Sequence, residues 1–505
     1  MTSKIDRRRF LGATAASAAA LTIVPRHVLG GAGHVAPSDK LTFGYVGCGT
    51  EGLTEMPALL RVPEVQVVAV CDPNRESTDY VEWGKDSVRA ELATALSIPD
   101  WRKDKGGVPG GREVGRELAE LFYAKERGAD GFEGVRAYAD FRELLDKEDV
   151  DAVKVMTPDH LHATVAVAAM RKGKRVLMHK PLANRLLEAR LVVDTAKKTS
   201  LPTHFLPSIA GASVSIVKSW IDRGAIGTLR EIHNWSNRPV WPQYDTIPAD
   251  TPPVPKDFDW DLWLGPALPR PYHPHYTHAV FRGWYEFGGG AVADMGHYSL
   301  WRVFRQFDLD APTVVETSPS HVCTLADGVS VTIPNDYSFP TACTIRFRFA
   351  AKGSRPALDL FWYDGGIRPR APEELDEDDR ELAAEGMLFV GDTGKILAGF
   401  ECEDPMIIPY RKARAFRSAA GPTVLPPPAD QEKPVWLDHF RGGPPTFGSF
   451  TLAGPISDAV NLAAVSLRLG GKRLLWDAAT ARITNLPEAN RLLGREYRKG
   501  WELAG

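Results

Sequence analysis

Along the first two hundred residues, short apolar runs alternate with longer stretches whose apolar positions recur at helical spacing, the pattern of strands feeding helices. Leu41, Phe43, Tyr45 and Val46 make one apolar strand, and residues 65–70, 150–156, 175–178 and 202–206 repeat it. Between these runs, residues 53–60 can open a helix, 138–145 set Phe141, Leu144 and Leu145 on one face, and 164–172 and 186–199 also read as helices. A polar, glycine-interrupted insertion over roughly residues 77–134, with a helix expected at 114–127, separates the second strand from the next helix. Such alternation predicts a parallel sheet with right-handed crossovers, whose ligands sit at the carboxyl ends of the strands.

Beyond about residue 205 the pattern changes. A helix at 214–223 and a strand at 229–235 precede a loop rich in Pro and Trp, and residues 313–319, 342–349, 358–363 and 387–390 read as strands of an antiparallel or mixed sheet. A last helix is expected at 456–467, ahead of the apolar run 473–476.

The chemistry falls at the strand ends. The first strand runs into Gly47-Cys48-Gly49-Thr50-Glu51-Gly52, a G-x-G-x-x-G turn. In such a turn the first glycine permits the tight bend, the second lets the backbone approach a pyrophosphate, and the third lets helix and strand pack closely. The helix N-terminus then meets the phosphates. Asp72 ends the second apolar run, 25 positions after Gly47. A carboxylate there accepts hydrogen bonds from an adenosine ribose and repels a 2′-phosphate, which favours NAD, while nearby Arg75 keeps NADP open. Two later strands end in Thr157-Pro158-Asp159-His160-Leu161-His162 and in His179-Lys180-Pro181.

Size and charge narrow the class. The 505 residues suffice for two or more domains with substantial cores. A composition of 44% hydrophobic and 25% charged residues is that of a soluble globular enzyme, and a net charge of −3 makes no case for nucleic acid or an anionic membrane as partner. The five cysteines show neither metal-ligand spacing nor a disulfide framework; Cys48 and Cys71 read as small apolar filling, and Cys323 and Cys343 are free to pair. Arg7-Arg8-Arg9-Phe10-Leu11 precedes an alanine-rich apolar run at 12–24, an export signal similar to the twin-arginine type. Residues 1–36 are therefore expected to be a signal and linker, and the protein periplasmic or extracytoplasmic. No other run is long and apolar enough for a membrane span. Outside the cytoplasm a free nicotinamide pool is not expected, so the cofactor should be held tightly and restored within each cycle, or reoxidised by a second substrate.

The ordered set GYVGCGTEG, VVAVCDP, TPDHLH, HKP and FGGGAVADMGHY resembles the Gfo/Idh/MocA family of sugar oxidoreductases over most of the chain from Lys40 onward. The segments NRPVWPQ, DWDLWLGPALPRPY and FRGWYEFGGG are similar to the subgroup with twin-arginine signals. The resemblance implies an α/β protein: an N-terminal Rossmann domain with a parallel sheet at 40–205, and a C-terminal α/β domain with a large, mainly antiparallel or mixed open sheet at 206–505, serving substrate binding and oligomerisation. A sugar, cyclitol or glycoside would lie between that sheet and the nicotinamide. Thr157, Pro158 and His162 would join the glycine turn in holding the cofactor, with His162 under the nicotinamide. A homo-oligomer, dimer or tetramer, is carried over in the same way.

The family's E-K-P appears as His179-Lys180-Pro181, so Lys180 carries over as the active-site lysine, beside the nicotinamide, often before a cis proline. The family's D-x-x-x-H pairs an Asp that orients substrate with a His that takes a hydroxyl proton. Here Asp294 is followed by His297 at the third position and Tyr298 at the fourth. Positions three and four apart share a helix face. His297 is favoured as acid/base because an unperturbed histidine titrates near ~6.5 and tyrosine near ~10, and Tyr298 stays the alternative. His273, His275 and His278, with His160, His162 and His297, offer imidazoles, but the H-x-H split by Pro is also a substrate-wall composition, and no metal is assigned. Trp241, Trp263, Trp284 and Tyr285 are sugar platforms or core, with core the default. The expected activity is oxidation of a sugar, cyclitol or glycoside with NAD(P). Its rivals are redox-neutral glycoside cleavage, by oxidation at C3, elimination of the aglycone and re-reduction, and a non-catalytic sugar-binding protein.

Overall fold

The computed structural model describes residues 35–127, 131–206, 212–420 and 433–503. The expected export signal lies outside the described residues. Strands β1 (Leu41–Val46), β2 (Val65–Cys71), β3 (Arg136–Tyr138), β4 (Ala152–Val155), β5 (Arg175–His179) and β6 (Thr203–Leu206) form a parallel sheet in the order β3-β2-β1-β4-β5-β6. The order reverses between β1 and β4, which opens a crevice beyond their carboxyl ends. Helices α1 (Thr50–Leu60), α2 (Ser87–Leu96), α3 (Arg112–Arg127), α4 (Phe141–Lys147), α5 (Asp159–Arg171) and α6 (Leu186–Thr199) connect and flank the strands.

Four elements differ from the sequence pattern. The insertion holds α2 as well as α3, because the apolar side of α2 is too weak to stand out in a polar stretch. The three-residue β3 is too short to show a period, and α4 starts only after Asp140, whose side chain caps it by accepting from Arg142 N. Helix α5 begins at Asp159, five residues earlier than its apolar positions suggest, and so takes in His160 and His162. Pro158 fixes that start, since it cannot continue a helix backward.

After α7 (Ala212–Asp222), strand β7 (Leu229–Trp235) enters a second sheet, followed by α8 (Trp260–Leu264), α9 (Gly290–Gln306) and β8 (Val314–Pro319). The chain continues through β9 (Cys323–Ala326), β10 (Val329–Thr332), β11 (Cys343–Phe349), β12 (Leu358–Tyr363), β13 (Gly386–Gly391), β14 (Lys395–Ala398) and β15 (Met406–Ile408). Helices α10 (Tyr410–Ala420), α11 (Leu437–Phe440) and α12 (Gly454–Arg468) precede β16 (Leu474–Asp477) and β17 (Arg482–Ile483). Nine strands form one sheet in the order β15-β14-β13-β7-β12-β11-β8-β16-β17, with β7 and β12 parallel and the other neighbours antiparallel. β9 and β10 make a separate exposed hairpin. Alternation decides the faces: Ile345, Phe347 and Phe349 are buried with Leu300 and Phe304 of α9, while Arg346 reaches Glu316 and Asp359 on the other side.

The second region also reaches back to the first. Phe43 of β1 packs against Trp436 and Phe440, with ring centroids 5.7 and 6.2 Å apart, and Phe205 N donates to Gly448 O at 2.8 Å. The division expected near residue 205 is therefore crossed by a returning segment that completes the first core. All five cysteines are free, with Cys323 exposed in the hairpin and Cys343 buried, so these two do not pair. No helix among the described residues is long and apolar enough to cross a membrane.

Because Phe440 is fully buried against Phe43, Phe440→Ala is expected to lower stability by about 3–5 kcal/mol in denaturant unfolding of the full chain. A loss below about 1 kcal/mol would show that the returning segment is dispensable to the first core.

Candidate active site

The glycine turn has the geometry its sequence requires. Gly47 has φ of 103°, and a Cβ there would stand 2.4 Å from Met156 O; a Cβ on Gly52 would stand 2.2 Å from Gly47 O. Neither position tolerates a side chain. Asp72 braces this turn from β2, accepting from Cys48 N and from Asn74 N, both at 2.8 Å. Burial outweighs those two donors and raises its pKa, and each carboxylate oxygen keeps a lone pair for a ribose hydroxyl. Burial likewise pushes the Cys48 and Cys71 thiols up, which leaves them inert filling.

A cleft of about 1140 Å³ runs from Asp72 past the glycine turn to Thr157 and Lys180. Its far wall comes from the second region, through Phe258, Trp263, Arg282 and Trp501. Over the turn lies Tyr80 of the insertion, near enough that a Cβ on Gly49 would meet its ring at 3.2 Å. The Tyr80 ring lies 3.9 Å from that of His278, whose Nε2 faces Asp79 at 3.5 Å. His162 sets its ring nitrogens against the carbonyl oxygens of Pro181 and Thr157, and burial lowers its pKa. The Thr157 hydroxyl is buried with no hydrogen-bond partner among the described residues. The glycine turn closed to side chains, the orphan hydroxyl and the long cleft all fit a dinucleotide.

A second cleft, of about 690 Å³, shares Glu51, Trp83, Lys180 and Arg282 with the first. Lys180 is 4% exposed and ion-paired to Asp294, which also accepts from Arg282 Nε at 3.1 Å. Burial alone would raise the Asp294 carboxyl, but the two cations outweigh it and hold it below its ordinary value. The Lys180–Pro181 peptide is cis. Tyr298, one turn beyond Asp294 on α9, lines this cleft, its ring centroid 5.0 Å from Lys180 Nζ and its hydroxyl 3.3 Å from His179 Nε2.

His297 does not join them. It is fully buried on the side of α9 that meets Phe205, with ring centroids 5.4 Å apart; its Nδ1 bonds Ala293 O at 2.6 Å and its Nε2 has no hydrogen-bond partner among the described residues. Burial drags its pKa to about 4. The expectation that His297 faces the substrate thus fails on helix phase, since the one-residue offset turns it about 100° away from Tyr298.

The remaining histidines do not converge either. His160 bonds Trp263 O at 2.9 Å and is held neutral by burial, with a pKa of about 3. His273 pairs with Asp250 at 3.3 Å, and His275 stacks on Tyr244 at 4.1 Å. The cluster with metal-like spacing among the described residues is instead Glu51, Glu55 and His179, where Glu55 already pairs with Lys154 at 3.3 Å. Trp284 and Tyr285 are core, Trp263 is core and also walls the first cleft, and Trp241 is buried but lines the second cleft. Sequence reasoning missed Arg282, Tyr80 and Trp83 as site residues. The Arg282 signal was its place in FRGWYEFGGG, six residues before Gly288; Tyr80 and Trp83 sit in an insertion with no motif.

A Rossmann sheet whose nucleotide crevice opens into a second cleft, walled by a mixed sheet domain, is the architecture of a dinucleotide-dependent oxidoreductase. Two family models match in tandem: the NAD-binding Rossmann fold of the Gfo/Idh/MocA oxidoreductase family over residues 112–205, and that family's C-terminal alpha/beta domain over residues 213–345. Both matching models describe the Gfo/Idh/MocA oxidoreductase family, and the first domain is an NAD-binding Rossmann fold. A levoglucosan dehydrogenase of Pseudarthrobacter phenanthrenivorans is 32% identical over 119 residues, 22% of this chain and 30% of that protein. A glycosyl hydrolase family 109 protein of Shewanella baltica is 24% identical over 242 residues, 45% of this chain and 44% of that protein. The chain thus spans less than half the length of these curated relatives. The fold is similar to that of the WlbA dehydrogenase from Chromobacterium violaceum, crystallised with NADH and UDP-GlcNAcA, with a TM-score of 0.50 at 16% identity over 87% of this chain and 97% of that one.

Replacing Asp294 by Asn would take from the buried Lys180 and Arg282 the carboxylate that ion-pairs with both, and is expected to cost about 3–5 kcal/mol at pH 7. The depressed carboxyl makes the wild-type contribution present above the ordinary carboxylate range and lost as pH falls through the lowered pKa. The stability difference between wild type and variant, followed by urea unfolding, should therefore shrink in acid; a difference that stays constant down to pH 2 would refute the ion pairing.

Proposed function

We propose that this chain is an exported, NAD-dependent oxidoreductase that oxidises a sugar, cyclitol or glycoside and keeps its dinucleotide bound through the cycle. The observation that carries this reading is Lys180, clamped by Asp294 on the wall common to the dinucleotide cleft and the second cleft. NAD, when bound, supplies the acceptor for a hydride from a substrate C–H. The Lys180 ammonium lowers the proton affinity of a substrate hydroxyl placed against it, and Asp294 keeps that ammonium aimed while its free lone pairs accept from a neighbouring hydroxyl. Arg282 keeps Asp294 ionised. Asp72 favours NAD over NADP, and Tyr80, packed over Gly49, hinders escape of the cofactor.

Retention of the cofactor agrees with the arginine-led signal sequence, which supports a periplasmic or extracytoplasmic site of action. A homo-oligomer, dimer or tetramer, is carried over from the resemblance to the family. The match to a glycosyl hydrolase family 109 protein favours a second reading, in which oxidation, elimination of the aglycone and re-reduction cleave a glycoside with no net redox change. The same Lys180 and Asp294 would serve both.

Denaturing the purified protein is expected to release NAD, and the Tyr80→Ala variant to lose it on dialysis. Against a panel of 4-nitrophenyl and methyl glycosides, Lys180→Ala is expected to lose at least about 10²-fold in kcat. Release of 4-nitrophenol without added NAD and without NADH accumulation selects the redox-neutral reading. Absence of any dinucleotide, or a fully active Lys180→Ala, defeats both.

A further inference from the structure

At the junction of the two clefts, one hydrogen bond joins titratable side chains of the two domains. Tyr298 Oη stands 3.3 Å from His179 Nε2. Tyr298 lines the second cleft, and His179, at the end of β5, lines the dinucleotide cleft. Lys180 Nζ, which lines both clefts, lies 5.0 Å from the centroid of the Tyr298 ring, and behind the phenol hydroxyl stands an imidazole.

A buried phenol is a poor base by itself. Burial, then the charges of Glu51 and Asp294, push the Tyr298 pKa well above its ordinary value, so it can take a proton only by passing its own on. The groups that face this pair are Glu51 and Glu55 from α1, Lys154 from β4, His162 from α5, Lys180 beside His179, Arg282 from the loop before α9, and Asp294 from α9 itself. Lys154, Lys180 and Arg282 are cations with no lone pair to offer. Asp294 is held by two of them, His162 is engaged by two carbonyls, and Glu51 stands 3.9 Å from His179 Nε2, beyond hydrogen-bond reach. His179 is the group at hydrogen-bond distance from the phenol. Burial, reinforced by Lys180, holds its pKa well below the ordinary histidine value, so the ring is neutral and carries a lone pair at neutral pH.

Resting on the oxidoreductase reading above, we propose that Tyr298 and His179 form a proton relay for the hydroxyl that is oxidised. The substrate O–H proton passes to Tyr298 Oη as the phenol proton passes to His179 Nε2. The phenol ends neutral, the imidazole ends with one positive charge, and the electron pair left on the substrate oxygen becomes the second bond of its carbonyl as the C–H hydrogen leaves with its electron pair, for which a bound nicotinamide would be the acceptor. Reversal returns both protons. Tyr298 is the catalytic residue and His179 the positioning residue that acts through it. The relay puts the imidazole on the strand end before Lys180, and leaves the buried His297 without a part in the chemistry.

Two measurements on the full-length holoprotein test the relay. With whichever 4-nitrophenyl or methyl glycoside the wild type turns over, Tyr298→Phe and His179→Gln are each expected to lower kcat about 10²–10⁴-fold with KM within about threefold. The acid limb of the wild-type kcat profile, which falls as pH drops and the imidazole is protonated, should vanish in His179→Gln. A His179→Gln enzyme that retains kcat and the acid limb overturns the proposal. Separately, in histidine-selective ¹⁵N labelled protein, the resonance lost in His179→Gln should shift in Tyr298→Phe; an unshifted resonance overturns the relay. If the wild type turns over no glycoside, the relay is judged on the resonance alone, and the oxidoreductase reading stands or falls separately on whether denaturation releases a dinucleotide.

Discussion

The site depends on one buried carboxylate shared by two cations. Lys180 follows a strand of the first domain, whereas Arg282 and Asp294 belong to the second, so the Lys180–Asp294–Arg282 set is also a bond between domains. None of the three charges is stable there alone, because removing a charge from water costs several kcal/mol unless a partner and hydrogen bonds replace the solvent. Together they fix the ammonium at the one wall that both clefts share. Positioning of the reactive lysine and docking of the domains are therefore the same interaction.

The same economy appears around the dinucleotide cleft. Arg75 N donates to Asp257 O at 2.8 Å and Asp259 N to Pro73 O at 3.1 Å, tying the turn after β2 to the segment before α8. Tyr80, packed between the glycine turn and His278, extends that closure from the insertion. A cofactor lying beneath these contacts is shielded from water by both domains. Such shielding raises the strength of every charge interaction within the cleft, including that of Lys180 with Asp294.

Much of the architecture was legible in the sequence, and the reason is periodicity. Leu186–Thr199, Leu229–Trp235 and Leu358–Tyr363 have the bounds their apolar patterns predict, since each buries a continuous face or both faces. β3 and α2 were not legible, because one is three residues long and the other lies in a polar insertion. The glycine turn, Asp72, Thr157 and Lys180 could be placed at strand ends because parallel-sheet topology gathers those ends on one side. Arg282, Tyr80 and Trp83 could not: an arginine in a loop or an aromatic in an insertion acquires a role only from what the chain folds against it.

The order of strands and helices, the dinucleotide turn and the lysine before Pro181 follow from the sequence, because local sterics and hydrophobic spacing act over a few residues. Which of two adjacent side chains on α9 meets the cleft is different in kind. His297 and Tyr298 are equal candidates by spacing, and the packing of Phe205 against one face of that helix turns His297 inward and leaves Tyr298 with His179. Helix phase relative to a neighbour is set by tertiary contacts, and no residue count along the chain contains it.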